Sequence, residues 1–287
     1  MLEPNFSESQ LQTAANLAFA NEIRRRVGGF PFPFVPSLPA EFLLGWDTAF
    51  DLEWVRRRLS GPFANRHKGC NFFLQYKLSG VMEHARNSKE WSAWQAPYFR
   101  FRIPHRKKVR DRVVDDFHQW ERLKEIAAAG VPTCYATNTM LEESELRQLF
   151  ETRTLLDRVV LLDVAPIKRK HIHASFADPF TKFMLHSVPE ESELITLTGL
   201  INKLSNATYK SYEEGIVELT SIAVGLSKGD RSATDAPTVE QELASFQQFF
   251  ITYTGPRVSG LPQLKRAILE AFYIRRFGLR PHWYPAH

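Results

Sequence analysis

The chain has 287 residues, of which 44% are hydrophobic and 13% aromatic, so it is long enough for one large domain or a domain with a smaller appendage. Its two cysteines, Cys70 and Cys134, form no Cys-x-x-Cys pair, and neither a disulfide framework nor a thiolate zinc site is indicated. The first ten residues lack the basic and apolar segments of a secretory signal, and no run of eighteen apolar residues occurs. We therefore expect a cytoplasmic protein with no membrane span.

The net charge of +5 favours a polyanionic partner, because cationic side chains that neutralise phosphates give affinity for any nucleic acid. The basic residues are clustered, and those expected to contact nucleic acid are Arg56, Arg57, Arg58, Arg66, Lys68, Arg100 and Arg102. The alternative is an ordinary solvated basic surface. No P-loop, G-x-S-x-G or H-E-x-x-H motif occurs, so an ATPase, a serine hydrolase and a zinc protease lack support.

The first predicted element is a helix that begins after Ser7, since Ser7 and Gln10 have the spacing of a capping box. One stripe of this helix consists of Leu11, Ala15, Ala18 and Glu22. Glu22 thus continues an apolar face. It either reaches water at the helix end, beside the arginines that follow, or has a role at a site.

Four prolines between residues 28 and 40 predict an extended connector. The patterns that follow predict strands near Gly45, at 70–78 and at 98–103, then a helix at 111–129. Strand, helix, strand and a hairpin at 171–186 come next, and from about residue 190 the pattern is helical. This order predicts an α/β fold with a mixed central sheet flanked by helices and a mostly helical C-terminal part. We expect an α/β domain at 1–189 and a helical region at 190–287.

The segment at 72–77, F-F-L-Q-Y-K, begins apolar and ends in two polar residues that share one face of a strand, Gln75 and Lys77. The pair marks the edge of a site or a plain strand exit into solvent. Upstream, Asp47 and Asp51 are four residues apart and also share a face if they lie in a strand. If that strand forms a hairpin with 72–77, Asp51, Gln75 and Lys77 converge. Otherwise Asp51 is a turn residue or an ion-pair partner of Arg56.

Such a set of side chains favours phosphate chemistry at a metal ion. Carboxylate and amide oxygens are the hard ligands that Mg²⁺ prefers, and an ammonium group stabilises charge on a phosphate or orients the attacking water.

The order D-x-x-x-D followed by Q-x-K resembles the active-site pattern of the PD-(D/E)XK nuclease superfamily, in its Mrr-like variant with glutamine at the second acidic position. The resemblance implies a restriction-endonuclease-like fold and a DNA endonuclease dependent on Mg²⁺ or Mn²⁺. The catalytic residues it implies are Asp51, Gln75 and Lys77, and the metal ligands are Asp51 and Gln75, supported by Asp47 or Glu22. It also implies a role in restriction or anti-phage defence, frequently with a partner protein.

A second hypothesis is a non-catalytic module of the same fold, which binds nucleic acid or a protein partner in a defence or repair assembly. The two hypotheses differ at Lys77, because only a nuclease loses activity on Lys77→Ala.

Overall fold

The computed structural model describes residues 1–27, 32–34, 49–51, 68–84, 89–110, 112–229 and 262–285, and single residues at 241, 244, 245, 248 and 252. The chain divides into two compact units. Unit 1 comprises Met1–Glu22 and Leu74–Ser205, and unit 2 comprises Ile23–Phe73 and Asn206–His287. The boundary expected at 189/190 falls inside unit 1.

The helices in the described part of the chain are α1 (Glu8–Val27), α2 (Lys89–Trp94), α3 (His118–Ala128), α4 (Glu143–Glu151), α5 (Leu155–Arg158), α6 (Leu197–Ser205), α7 (Tyr212–Gly229) and α8 (Pro262–Phe277). The strands from the N-terminus to the middle are β1 (Phe32–Phe34), β2 (Ala49–Asp51), β3 (Lys68–Lys77), β4 (Gly80–Met82), β5 (Tyr98–Arg102), β6 (His105–Val109) and β7 (Arg112–Asp116). The remaining strands are β8 (Thr133–Asn138), β9 (Val159–Asp163), β10 (His173–Phe176), β11 (Lys182–His186), β12 (Glu190–Thr196), β13 (Lys210–Ser211) and β14 (Pro281–Pro285).

The expected fold class is confirmed: the chain is α/β, with a large mixed sheet flanked by helices and a helical C-terminal part. In unit 1 the strand order is β3-β8-β9-β12-β11-β10-β5-β4, with the C-terminal half of β3 at one end. Aromatic side chains fill its core, and the ring centroids of Phe176 and Phe183 lie 5.1 Å apart. In unit 2 the N-terminal half of β3 pairs with β13 and β14, and α7 packs against α8.

Local sequence signals locate several elements correctly. The capping box is formed, because the Ser7 amide donates to Gln10 Oε1 and the Gln10 amide donates to Ser7 Oγ, each at 3.1 Å. The predicted strands at 70–78 and 98–103 correspond to β3 and β5, and the hairpin at 171–186 corresponds to β10 and β11. The buried stripe of α1 differs slightly, since Phe19 is buried and Ala18 is half-buried.

The prediction of a continuous helix at 111–129 is wrong in its first third. Residues 112–116 form β7, which pairs with β6 as a separate two-stranded hairpin, and helix α3 begins only at His118. Arg110 has a φ of 55°, in the left-handed region that a tight turn uses. Val113 and Val114 are β-branched and favour a strand. Asp116 accepts the amide of His118 at 3.0 Å, which marks the helix start.

The prediction that the chain is helical from residue 190 is also wrong at its beginning. Glu190–Thr196 is strand β12, paired with β11 and β9 in the middle of the unit 1 sheet. From Glu190 to Leu194 its residues alternate between buried or half-buried and exposed positions, which is a period of two rather than of 3.6.

Of the two alternatives for Asp51, the hairpin between its strand and β3 is not formed by the described residues. Ala49–Asp51 pairs antiparallel with Phe32–Phe34, and the described ladders that hold Lys68–Phe73 in unit 2 come from β13 and β14. β14 is an aromatic and proline-rich strand far along the chain. The ring of Phe72 in β3 stacks on the ring of His282 in β14, with the ring centroids 5.0 Å apart. Such a long-range pairing leaves no local signal in the sequence.

Within the described residues, no helix is both long enough and apolar enough to cross a bilayer.

Candidate functional site

The end of strand β3 places a lysine inside unit 1. Lys77 exposes 6% of its surface, although it is the last residue of the strand. Gln75, on the same face, is half-buried, while Leu74 and Tyr76 are buried on the opposite face. A plain strand exit into solvent is therefore wrong for Lys77, because an exit would leave the ammonium group in water.

The turn after β3 is fixed by buried polar groups at the end of β8. The Ser79 amide donates to Asn138 Oδ1 at 2.8 Å, and Asn138 Nδ2 donates to the Ser79 carbonyl at 2.9 Å. Neither residue is exposed to solvent. This two-way pair holds the backbone immediately beyond Lys77, so the lysine has a defined position.

The N-terminal segment brings the start of helix α1 to the same region. Leu2 and Val81 exchange two backbone hydrogen bonds of 2.8 Å, and the Asn5 amide donates to the Leu141 carbonyl at 2.9 Å. The capping box then begins α1, whose first residue is Glu8. The carboxylate of Glu8 is half-buried and interacts electrostatically with Lys77 and with His105.

The ammonium group of Lys77 lies against an imidazole. Lys77 Nζ is 2.9 Å from His105 Nε2, and the same nitrogen is 2.7 Å from Gln119 Oε1. His105 begins β6 and is exposed, and Gln119 is in the first turn of α3. We call Glu8, Lys77, His105 and Gln119 the Lys77 cluster. Its members come from four different elements of unit 1.

The geometry at His105 Nε2 allows two proton arrangements. If Lys77 is an ammonium ion and donates to Nε2, the imidazole carries its proton on Nδ1 and Gln119 does not accept from Nε2. If Nε2 carries the proton, it donates to Gln119 Oε1 and the contact with Lys77 requires a neutral amine, since one ring nitrogen cannot donate and accept at once. The cluster thus links the protonation of a buried lysine to the tautomer of an exposed histidine.

Burial sets the acid–base properties of the cluster. It lowers the pKa of Lys77 to about 8, and the negative charge of Glu8 offsets only part of this shift. Burial also raises the pKa of Glu8, against the lowering effect of the charges of Lys77 and His105. At pH 7 Lys77 is still mostly protonated, so an incompletely solvated cation lies beside an exposed imidazole. A shift of this origin is typical of functional sites.

The other predicted site residues have less defined positions. The side-chain nitrogen of Gln75 donates to the carbonyl of Tyr76 at 3.3 Å, a bond that does not use its amide oxygen. Glu22 is half-buried on α1. Asp47 lies outside the described residues, and for Asp51 only the backbone is described, in β2 of unit 2.

The predicted nucleic-acid contacts divide in the same way. Arg56, Arg57, Arg58 and Arg66 lie outside the described residues, as does the side chain of Lys68. Arg100 and Arg102 are half-buried and ion-paired. Arg100 Nη1 lies 3.8 Å from Glu90, and Arg102 contacts Asp115 and approaches His173 Nε2 at 3.2 Å.

A magnesium site is not assembled within the described residues. No group of three or more His, Cys, Asp or Glu side chains comes together in those ranges in a way that could hold a metal ion. Glu8 and Gln75 supply oxygen atoms of the right chemical type. They do not by themselves form a site, so a bound metal remains a prediction that depends on Asp47 and Asp51.

A second polar group in unit 1 was not foreseen from the sequence. Ser175 Oγ lies 2.8 Å from His186 Nε2, and Trp94 Nε1 donates to the same Oγ at 2.8 Å. Ser175 and His186 are buried, and burial lowers the pKa of His186, so its neutral ring accepts the serine proton. We call Ser175, His186 and Trp94 the Ser175 cluster. The hydroxyl group is enclosed and satisfied, as expected of a structural contact rather than a nucleophile.

Sequence reasoning found Gln75 and Lys77 but missed the partners of Lys77. Glu8 carried no signal beyond its place in a capping box, and His105 lay in a basic run. Comparison of the chain with protein-family models, with curated proteins and with solved structures gives no match. The resemblance to the PD-(D/E)XK superfamily therefore stays a prediction.

Proposed function

We propose that the protein is a metal-dependent nuclease that hydrolyses DNA phosphodiester bonds, with Lys77 stabilising the negative charge that develops on the phosphate. The observation that carries the proposal is the buried Lys77, whose Nζ lies 2.9 Å from His105 at the start of a basic hairpin. A buried cation thus contacts the first residue of an element rich in basic side chains.

The electrostatics of Lys77 support this role. A cation that burial has deprived of water interacts more strongly with a phosphate than an exposed cation does, because the local dielectric constant is lower. Its pKa of about 8 keeps it protonated at neutral pH. A phosphate oxygen beside Nζ supplies the counter-charge that Glu8 provides only in part, and His105 gives the ammonium proton a second acceptor.

The remaining roles follow from the sequence resemblance and are part of the proposal. Asp51 binds Mg²⁺ or Mn²⁺ together with the amide oxygen of Gln75, and Asp47 or Glu22 adds negative charge. A place in restriction or anti-phage defence, with a partner protein, also rests on the resemblance alone.

The second candidate is a non-catalytic module that binds nucleic acid. It is favoured by one observation: the described residues expose a basic hairpin, whose cations suit contacts with phosphates whether or not a bond is cut. Under this hypothesis Lys77 is a buried structural cation.

Cleavage of plasmid and linear DNA distinguishes the two candidates. We expect cutting by the wild type in Mg²⁺ or Mn²⁺, none in EDTA, and a rate at least about 100-fold lower in Lys77→Ala, since loss of one charge-stabilising group costs about that much. DNA affinity measured in EDTA should change less than about twofold. Lys182→Ala is the matched control, because Lys182 is a half-buried lysine of the same unit whose side chain is 43% exposed and paired with Glu191.

Two results would contradict the nuclease. Cutting that survives Lys77→Ala at full rate places the activity elsewhere. Absence of cutting by the wild type, with DNA binding intact, supports the binding module. Lys77→Met should be tested beside Lys77→Ala, because methionine preserves most of the buried volume and a loss of activity in it is less easily explained by misfolding.

A further inference from the structure

The hairpin of β6 and β7 is a separate element of unit 1. It forms its own two-stranded sheet, with Arg106 opposite Asp115 and Lys108 opposite Val113. Nine of the ten residues in its two strands are exposed, and the tenth is half-buried at the base. A two-stranded hairpin that buries neither face gains little from packing, so its amino-acid composition needs another explanation. We call β6 and β7 together the basic ribbon.

The charge of the basic ribbon is concentrated towards its tip. Residues 106–114 contain five basic residues and one acidic residue, a net charge of +4. The five are Arg106, Lys107, Lys108, Arg110 and Arg112, and none of their side chains has an ion-pair or hydrogen-bond partner among the residues that the structure describes.

The acidic residues at the base of the ribbon already have partners outside it. Asp115 pairs with Arg102, and Asp116 Oδ1 accepts the amide of His118, the first residue of α3. These carboxylates therefore do not neutralise the cations nearer the tip.

The cations and valines alternate so that both faces of the ribbon are alike. Directly opposed residues share a face, so one face carries Lys107, Val109, Arg112 and Val114. The other face carries Arg106, Lys108 and Val113. An element that lies flat on a membrane or on an acidic protein needs its cations on one face only. Cations on both faces fit a partner that presents negative charge on two sides.

We propose that the basic ribbon inserts into the major groove of double-stranded DNA. The groove has a row of phosphates along each wall, is about 12 Å wide and admits a two-stranded β-ribbon. Five residues per strand give the ribbon a length of about 17 Å, sufficient to reach the floor from outside the groove. The cations of each face then meet the phosphates of one wall.

The inference deepens the proposed function, because it names the element that would hold the duplex substrate of a nuclease. In this arrangement the contact between Lys77 and His105 lies at the base of the inserted ribbon. It does not require cleavage, so it is tested by binding alone.

The exposed valines add independent support for a partner. Val113 exposes 64% of its surface and Val109 exposes 48%, on an element that contributes nothing to the core. Apolar side chains among unpaired cations mark a contact surface better than they mark a solvated one.

The experiment measures the binding of duplex DNA at a series of salt concentrations in EDTA, with fluorescence anisotropy as the readout. The test variant is the triple substitution Arg106→Gln, Lys107→Gln and Lys108→Gln. The matched control is Lys168→Gln, Arg169→Gln and Lys170→Gln, which removes the same charge from a cluster already paired with Glu190 and Glu121. A third variant exchanges Arg and Lys at positions 106–108 and keeps the charge.

For the test variant we expect a dissociation constant at least about tenfold higher. The slope of log K against log salt should be shallower by about 2.7, since each phosphate contact contributes about 0.9. The control and the charge-preserving variant should change the slope by less than about 1. Melting temperatures should match that of the wild type, because the ribbon side chains are exposed.

Several results would overturn the inference. These are equal losses in the test variant and the control, an unchanged slope in the test variant, and no duplex binding by the wild type at low salt. Competition by single-stranded DNA at least as strong as by the duplex would rule out the groove. A failed nuclease proposal looks different, since DNA is then bound with the expected slope but not cut.

Discussion

Unit 1 contains two groups of buried polar side chains that differ in charge and in how completely their hydrogen-bonding groups are paired. In the Ser175 cluster, the hydroxyl donates to a neutral imidazole and accepts from an indole N–H, so each group has a partner and none is charged. In the Lys77 cluster, a cation is buried beside a half-buried carboxylate, and one imidazole nitrogen lies within hydrogen-bond distance of two groups.

The difference separates a stabilising contact from a candidate reactive site. A buried network that is satisfied and neutral contributes to stability, and it responds to pH only when its histidine is forced to charge. A buried cation with a lowered pKa costs stability at neutral pH, and a protein tolerates that cost where the charge is used. Mutation should therefore affect the two clusters differently. Substitution of Lys77 should change the cutting activity and the stability at alkaline pH, whereas substitution of Ser175 should change the stability alone.

The largest effect on stability is expected from Lys77 at alkaline pH. Its pKa is about 8 in the folded chain, against its ordinary value of 10.5. Between these values the unfolded chain binds a proton that the folded chain has lost, so stability rises with pH. At 1.36 kcal/mol for each pKa unit, the free energy of unfolding gains up to about 3 kcal/mol from Lys77 over this range.

Urea unfolding of the wild type and of Lys77→Met between pH 7 and 10.5 measures this contribution. The difference in free energy of unfolding, wild type minus variant, should rise with pH, while the same difference for Lys182→Met, at the ion-paired lysine, should show no such trend. Parallel curves for wild type and Lys77→Met would mean that Lys77 keeps an ordinary pKa, and the contrast between the clusters would fail.

The sequence was sufficient for the elements whose signals are local. The capping box at Ser7 and Gln10 is formed, and the apolar runs of β3 and β9 are strands. The alternation in β3 also predicted that Gln75 and Lys77 share a face. These predictions succeed because periodicity and caps depend on residues within one or two turns of each other.

The partners of Lys77 could not be predicted, because they depend on distant pairings. His105 follows Lys77 by 28 residues and reaches it only through the path of β5 into β6. The second strand of the ribbon, Arg112–Asp116, falls within the helix predicted at 111–129, since Val113 fits a helical stripe as well as a strand. A tight turn at Arg110 decided the outcome. The pattern of a sequence gives the faces of elements, and tertiary pairing decides which faces meet.

A smaller effect is expected from Ser175→Ala. The substitution leaves two groups without their partner, the indole N–H of Trp94 and Nε2 of the buried His186. Unsatisfied buried groups cost about 1 to 3 kcal/mol, so we expect about 2 kcal/mol and a lower melting temperature. DNA binding and cutting should be unchanged below the melting temperature. Ser144→Ala, at an exposed position in α4, is the control and should be neutral. Loss of cutting by a folded Ser175→Ala would give the Ser175 cluster a role in the reaction.

The smallest effect is expected from Trp94→Phe, which removes one donor and leaves the bond between Ser175 and His186 in place. Since Trp94 is half-buried, we expect a loss of about 1 kcal/mol, near the net value of a single hydrogen bond. The double variant with Ser175→Ala tests whether the cluster acts as one network. Because both single variants break the same hydrogen bond, its energy should be counted once, and the double variant should lose about 1 kcal/mol less than the sum. Strict additivity in thermal or urea unfolding would show that the indole and the serine act independently, and the Ser175 cluster would then be two separate contacts.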